Sequence, residues 1–139
     1  MTKRVAEIMV KGLQFIDSRA TLHDAHKLMV ARNIRHLLVH QAPNGSLLGI
    51  LSDRDIKKCV SPFATASTAT DRDKATLDIE VSKVMTKTVV TAKPDDKVQQ
   101  VAETMLQKRI SGIPVVDESG KAVGIVTSTD LMRLLISLL

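Results

Sequence analysis

Apolar and polar positions follow the same order twice along the chain. In the second copy, apolar residues recur at i, i+3, i+4, i+7 and i+8, which is one face of a helix; they are Val98, Val101, Ala102, Met105 and Leu106. Asp95 and Asp96, after Pro94, suit the start of that helix. The first copy carries the same stripe, with Ser18 or Thr21 as its expected N-cap: Leu22, Ala25, Leu28 and Met29. The pattern therefore predicts an amphipathic helix early in each copy.

Short apolar segments surround each predicted helix. One precedes it, LQFI at 13–16 and TVVT at 88–91, and one follows it, HLLVH at 36–40 and GIPVVD at 112–117. The turn signals Asn44-Gly45 and Ser119-Gly120 then predict hairpins to LLGIL at 47–51 and AVGIV at 122–126. A final helix is predicted over 53–60 and from 128 to the C-terminus. Each copy therefore has the order β-α-β-β-α.

The two copies align at a nearly constant distance along the chain. Met9 matches Met85 at a shift of 85 − 9 = 76 residues, and Gly49 matches Gly124 at a shift of 124 − 49 = 75. This repeat predicts a first domain at 1–60, a connecting segment at 61–80 and a second domain at 81–139. A copy of about 55 residues buries too little surface to be stable alone. We therefore expect an α/β (α+β) fold in which the two repeats pack about a pseudo-twofold axis.

One eight-residue pattern recurs where each returning strand meets its helix. GILSDRDI at 49–56 and GIVTSTDL at 124–131 share a Gly, a hydroxyl residue and an Asp three places after the hydroxyl. One interpretation is a capping box, which satisfies free N–H groups at the start of a helix. The other is a binding site, because an ionised carboxylate accepts hydrogens from both hydroxyls of a ribose diol. The Gly within each strand indicates close approach of a ligand or another backbone, or a bulge.

The charge balance adds a preference for anionic partners. The net charge is +5; residues 1–60 hold ten Lys or Arg and five Asp or Glu, whereas residues 61–139 hold ten of each. The composition argues against nucleic acid as the partner, because the chain has no Trp or Tyr and only two Phe for stacking on bases. No apolar run approaches the roughly 20 residues needed to span a bilayer. Cys59 is the only cysteine, which fits a reducing cytoplasm.

Other candidate sites are weak. His23 and His26 share a helix face without a third ligand nearby, so we predict no metal site. We find no nucleophile with a base, no phosphate-binding loop and no acid–base pair, and we therefore predict no catalytic residues and no enzyme activity. The segment LMRLLISLL at 131–139 is apolar on nearly every side. We expect this segment to be buried against the first repeat or a second chain.

Taken together, these motifs resemble a pair of CBS domains, the tandem unit often called a Bateman module. The resemblance is carried by GILSDRD and GIVTSTD, by SGIPVVD at 111–117, and by VAEIM and VSKVM at the start of each copy. It covers roughly 5–60 and 81–136. The sequence is most similar to small stand-alone bacterial CBS-pair proteins of the acetoin-utilisation type, which share its IRH-L-V segment and SDRD motif.

The resemblance implies two clefts, one per repeat, that bind adenosine-containing ligands such as AMP, ADP, ATP, NAD or S-adenosylmethionine. It assigns the ribose to two acids and their hydroxyl neighbours, which are Asp55, Asp130, Ser52 and Thr127. It assigns the adenine to Gly112, Ile113 and Pro114, where the first copy departs with His36, Leu37 and Leu38. Phosphate groups are expected to face Arg35, His36 and Arg54.

The function implied by this resemblance is non-catalytic regulation, such as energy sensing, with an adenine nucleotide as regulatory ligand rather than catalytic cofactor. Ligand bound between the repeats would change repeat or dimer geometry. The resemblance also implies a homodimer with residues 131–139 at its interface, a regulated protein partner and a cytoplasmic location. The alternative is a dimerisation scaffold that binds no nucleotide, and a nucleic-acid binder is the weaker third hypothesis.

Overall fold

The chain folds into two compact units, which the computed structural model describes over residues 3–41, 47–87 and 90–139. The first unit is Gln14–Thr88, and the second unit combines Met1–Leu13 with Val89–Leu139. The helices and strands, in chain order, are α1 (Val5–Ile8), β1 (Phe15–Asp17), α2 (Leu22–Arg32), β2 (His36–His40), β3 (Leu47–Ser52), α3 (Asp53–Cys59), α4 (Asp71–Ala75), α5 (Val98–Lys108), β4 (Gly112–Val116), β5 (Ala122–Thr127) and α6 (Ser128–Leu138).

The first unit is built on a three-stranded sheet in the order β1-β2-β3. Strand β1 runs parallel to β2, with Ile16 beside Val39, and β3 returns antiparallel to β2. Helix α2 packs its apolar stripe on one face of this sheet, as its spacing predicted. The core buries Ile16, Leu22, Ala25, Met29, Leu37, Val39, Leu51, Ile56 and Val81.

The second unit repeats this arrangement with its own core. Strands β4 and β5 form an antiparallel pair, and Ala92 makes a parallel bridge to Val115 where β1 meets β2 in the first unit. Two predicted features lie outside the described residues: the first half of the expected strand at 88–91, and the expected turn at Asn44-Gly45. The second core buries Val5, Ala92, Val101, Met105, Ile113, Val115 and Val126.

Each unit also incorporates the segment that opens the other copy in the sequence. Val5 is fully buried in the second core, and its N–H donates to the Asp96 carbonyl over 2.8 Å. Val81, its counterpart 76 residues later, is fully buried in the first core, and its N–H donates to the Ala20 carbonyl over 2.8 Å. The opening segments are therefore exchanged, so the compact units do not follow the repeat boundaries of the sequence.

The exchanged segments end beside the glycines of the repeated pattern. Val10 pairs with Ile125 through backbone hydrogen bonds of 2.9 and 3.0 Å, and Thr86 pairs with Ile50 in the same way over 2.9 and 3.1 Å. A Cβ on Gly124 would lie 2.6 Å from Met9 Sδ, and a Cβ on Gly49 would lie 2.7 Å from the Thr86 carbonyl oxygen. Both positions require glycine because another part of the chain lies against them.

The helix starts agree only in part with the sequence-based expectations. Thr21, rather than Ser18, caps α2 by accepting the Asp24 N–H over 3.1 Å. Helix α5 begins after Lys97 without a side-chain cap; Asp96 instead accepts the Lys93 N–H over 2.9 Å. Leu106, which the stripe placed on the buried face of α5, is exposed.

The segment at 61–80 is folded onto the first unit. Ser61 Oγ donates to Asp73 Oδ1 over 2.8 Å, and the Leu22 N–H donates to the Ile79 carbonyl over 2.8 Å. The Thr70 backbone N–H, helped by the Ser61 hydroxyl, holds the pKa of Asp73 below its usual value. The Ala/Ser/Thr-rich connection therefore carries helix α4 and specific hydrogen bonds.

The sequence predicts burial of the apolar C-terminal segment against the first repeat or a second chain, and the chain itself leaves one face of α6 exposed. Leu131 packs against the second core, but Ile136 is 71% exposed. Met132 and Leu135 lie on the same exposed face, and Leu138 and Leu139 at the end of the helix are also exposed. An 11-residue helix has room to turn only one side towards its own core, so the other apolar side stays uncovered by the described residues.

Alanine substitutions at three glycines test the exchanged segments. We expect Gly49→Ala to lower the free energy of unfolding by about 1–3 kcal/mol, because its new Cβ meets a backbone carbonyl that cannot move aside. Gly124→Ala should cost less, since its neighbour is the flexible Met9 side chain. Urea unfolding followed by circular dichroism measures both, because the chain has no Trp or Tyr for fluorescence.

Gly12→Ala is the matched control for these substitutions. No atom lies within 4 Å of a Cβ placed there, so we expect a change of no more than about 0.5 kcal/mol. Equal stability of the Gly49→Ala and Gly12→Ala proteins would show that the Thr86 carbonyl does not lie against β3 as described.

Candidate functional site

The first candidate corner lies where β3 ends and α3 begins. Ser52 is both the last residue of β3 and the N-cap of α3. Its Oγ accepts the Asp55 N–H over 3.1 Å, and Asp55 Oδ2 accepts the Ser52 N–H over 2.9 Å. The capping-box interpretation is therefore confirmed here. It engages one carboxylate oxygen of the half-buried Asp55 and leaves the other, Oδ1, without a hydrogen bond from the described residues.

The second corner, between β5 and α6, contains the same box with more hydrogen bonds. Asp130 Oδ2 accepts the Thr127 N–H over 2.8 Å and also the Thr127 hydroxyl over 3.0 Å. The Asp130 N–H donates to Thr127 Oγ1 over 3.4 Å. The Asp130 side chain is only 7% exposed, and its Oδ1 lies 3.7 Å from Arg133 Nη1. Both carboxylate oxygens of Asp130 thus have partners within the chain.

Sheet register brings the expected phosphate-binding residues of the first unit to the first corner. His36 is the register partner of Ser52, and the Asp53 N–H donates to the Arg35 carbonyl over 2.9 Å. The side chains of Arg35 and Arg54 are exposed. The Ser52–Asp55 capping box therefore has three basic neighbours, Arg35, His36 and Arg54.

The second unit has the same register with neutral residues. Gly112 is the register partner of Thr127, and the Ser128 N–H donates to the Ser111 carbonyl over 2.9 Å. Thr129 takes the place of Arg54. The two corners thus share a backbone arrangement but differ in charge, as the sequence predicted.

Within the expected adenine segment, neighbouring residues face opposite sides of the sheet. Ile113 is 1% exposed and belongs to the second core, with Val115 and Val126. Side chains alternate along a strand, so Gly112 and Pro114 lie on the face opposite that core. The Ile113 side chain therefore stabilises the unit. The adenine candidates on the other face are the backbone of Gly112 and the Pro114 side chain, which is itself fully buried.

Two contacts at the corners were missed in the sequence. The Arg133–Asp130 ion pair joins residues three apart on a helix, a spacing that predicts contact once α6 is placed. The methionine against each glycine, Met9 on Gly124 and Met85 on Gly49, joins the opening segment of one copy to the strand of the other. No local signal reveals that exchange.

The structure offers no support for a metal centre or a membrane segment among the residues it describes. Within 3–41, 47–87 and 90–139, no three His, Cys, Asp or Glu side chains are grouped as ligands for a metal ion. In the same residues, no helix is both long and apolar enough to cross a bilayer.

Comparison with protein families identifies the repeat. The model of the CBS domain matches this chain twice, over residues 5–62 and 81–137. The chain belongs to the CBS domain family. The two matches contain the two corners, and they make this chain a tandem CBS module.

Solved CBS structures share the fold over the full chain. The CBS domain pair of protein MJ0100, solved in complex with 5′-methylthioadenosine and S-adenosyl-L-methionine, is 32% identical with a TM-score of 0.83, and the match covers 100% of both chains. A Vibrio cholerae structure assigned to the acetoin utilization protein AcuB is 28% identical with a TM-score of 0.76, covering 99% of this chain and 93% of that one. The resemblance to acetoin-utilisation proteins and the α+β fold are thereby confirmed.

Longer proteins also contain this module. A homoserine O-acetyltransferase from Methanococcus vannielii is 33% identical over 129 residues, which are 93% of this chain but only 24% of that enzyme. The chain spans about a quarter of the length of that relative. The similarity therefore concerns a CBS module within a larger protein.

Proposed function

We propose that this chain is a non-catalytic regulatory module that binds adenosine-containing ligands at its two strand-to-helix corners. The observation that carries the proposal is that each unit places an aspartate at the same corner, and that the cap at Asp55 engages only one carboxylate oxygen. The solved MJ0100 module, 32% identical over its whole length, was bound to two such ligands. AMP, ADP, ATP, S-adenosylmethionine and NAD all carry the same adenosine group.

The ribose is the part of the ligand that the corners suit best. A ribose diol donates two hydrogens, and a carboxylate is acceptor-only when ionised. Asp55 and Asp130 supply those acceptors, and each is held in place by its own helix start. Ser52 Oγ accepts the Asp55 N–H and keeps its hydrogen for a ligand oxygen. Thr127 takes the corresponding position in the second unit.

The residues next to the two corners differ in charge, and this difference bears on whether a phosphorylated ligand binds there. The first corner has Arg35, His36 and Arg54 as neighbours, and these basic residues suit phosphate groups. Ser111, Gly112 and Thr129 occupy the matching positions of the second unit, where Gly112 and Pro114, with the backbone at Ile113, suit an adenine ring. The first corner therefore suits AMP, ADP or ATP, whereas the matching positions of the second unit carry no cation for a phosphate group.

Regulation requires that the ligand bind two arrangements of the protein with different affinity. Bound ligand would favour one geometry of the repeats or of a dimer, and a partner protein would respond to that geometry. Energy sensing follows if AMP and ATP differ in this respect. No catalytic group is needed for such a role, and a reducing cytoplasm suits its single cysteine.

A dimerisation scaffold without nucleotide is the second candidate, favoured by the exposed apolar face of α6. Met132, Leu135 and Ile136 lie on that face, and exposed apolar patches mark interaction sites. The counterpart of Met132 in the first unit is Lys57, which is exposed and pairs with Asp53. The apolar face thus belongs to one unit, which suits a homodimer formed through the second unit.

Asparagine substitutions separate ligand binding from helix capping. Asn keeps one acceptor oxygen for the cap but replaces the other with an NH₂ donor, which opposes a ribose hydroxyl. We expect the double variant Asp55→Asn/Asp130→Asn to fold yet to lose the thermal stabilisation given by 5′-methylthioadenosine, S-adenosylmethionine, AMP or ATP. For the unmodified protein, ligand at 100 times Kd should add about 2.7 kcal/mol.

The scaffold hypothesis makes the opposite prediction for the same measurement. It expects no ligand in that set to raise the melting temperature of the unmodified protein. Asp53→Asn is the control, because Asp53 lies in the same helix turn outside both capping boxes. A double variant that binds each ligand as tightly as the unmodified protein would remove the ribose role of the aspartates.

Sedimentation velocity tests the homodimer. We expect the unmodified protein to sediment as a dimer and Met132→Glu to sediment as a monomer, since a charge buried in an apolar interface is costly. Lys57→Glu, at the matching position of the first unit, should leave the dimer intact. A monomeric unmodified protein, or a Met132→Glu protein that remains dimeric, would contradict this interface.

A further inference from the structure

The acceptor capacity of the two aspartates differs more than the repeated sequence suggests. A carboxylate offers about four lone-pair sites on its two oxygens. At Asp130, two of these accept the Thr127 N–H and the Thr127 hydroxyl, and the other oxygen lies 3.7 Å from the Arg133 guanidinium. Arg133 therefore lies beside the one Asp130 oxygen that accepts no hydrogen bond from the described residues, which is the oxygen left for a ribose diol.

Asp55 has no such competition. Among the described residues, its only hydrogen bond to a carboxylate oxygen comes from the Ser52 N–H, and about three acceptor sites stay open. Among the described residues, the Ser52 hydroxyl accepts the Asp55 N–H and does not donate to the Asp55 carboxylate, whereas Thr127 donates its hydroxyl to Asp130. A diol can therefore bind Asp55 without displacing any group of the protein.

The difference comes from the residue three places after each aspartate. Arg133 takes this position in α6, and Lys58 is its counterpart in α3, since 133 − 58 = 75. Within the part of the chain that the structure describes, Lys58 forms no ion pair with Asp55; the neighbouring Lys57 pairs with Asp53 over 3.7 Å instead. The two corners thus differ in whether a cation of the same helix forms an ion pair with the aspartate.

We propose that Arg133 is a specificity-determining residue that competes with the ribose diol for Asp130, so that the Asp55 corner is occupied first. This inference rests on the proposed function, because it concerns the same two corners. The Thr127 hydroxyl adds to the effect by occupying a second acceptor site on Asp130. Two corners of one repeated sequence thereby respond over different ligand concentrations.

The size of the effect follows from the exposure of the ion pair. The Arg133 side chain is 74% exposed, and the Asp130 side chain is 7% exposed. Pairs with an exposed partner are weak, so release of Arg133 should change the affinity at Asp130 by about two- to fivefold. The lower exposure of Asp130 also makes it the less accessible acceptor.

Calorimetric titration with 5′-methylthioadenosine tests the proposal, because this ligand carries the diol without a phosphate charge. Four single or double variants isolate the corners: Asp55→Asn, Asp130→Asn, Asp55→Asn/Arg133→Ala and Asp130→Asn/Lys58→Ala. We expect Asp55→Asn to remove the tighter binding event and Asp130→Asn to retain it. Arg133→Ala should then strengthen the binding left in the Asp55→Asn protein by about two- to fivefold.

Matched variants control for charge and for helix stability. Lys58→Ala should leave the binding of the Asp130→Asn protein unchanged, since Lys58 forms no ion pair with Asp55. Arg133→Lys, in the Asp55→Asn protein, should give less gain than Arg133→Ala because it keeps a cation at that position. A 2′,3′-dideoxy analogue of the ligand should show no gain with either substitution.

Two kinds of failure are distinguishable. If Asp130→Asn removes the tighter event, or if Arg133→Ala leaves affinity unchanged or weaker, the role of Arg133 is wrong while the module still binds nucleoside. If the unmodified protein binds neither 5′-methylthioadenosine nor AMP, the proposed function fails, and the competition has no ligand to act on.

Discussion

The rest of the structure depends on the first N–H groups of α3 and α6, which have no acceptor within their own helix. Each helix begins directly after a strand, so its first N–H groups need acceptors close at hand. The carboxylates of Asp55 and Asp130 reach back to the N–H of the preceding hydroxyl residue and fix the corner. A side chain held in this way keeps a constant position, which is what a binding group requires.

The exchange of opening segments supports the same corners from the neighbouring strand. Ile125 pairs with Val10 two residues before Thr127, and Ile50 pairs with Thr86 two residues before Ser52. A methionine of the exchanged segment packs against the glycine beside each pair. Each corner thus combines a strand, the helix that follows it and the opening segment of the other copy.

Local patterns in the sequence predicted most elements and the capping boxes. Strand and helix positions follow from spacing, but the pairing of His36 with Ser52 depends on a register shift between Val39 and His40 that spacing does not reveal. The exchange was not predictable, because Val5 carries the same local signal whichever core it enters. The inward direction of Ile113 was available from strand alternation but was missed. The exposure of Leu106 depends on how wide a face α5 buries, which spacing alone does not determine.

Amide NMR during titration with 5′-methylthioadenosine tests whether the two aspartate corners bind adenosine. We expect the backbone amides of Ser52 and Asp55 to shift at the lowest ligand concentrations. Those of Thr127 and Asp130 should shift at higher concentrations. Shifts that leave all four amides unchanged, with the largest changes on the exposed face of α6, would contradict it.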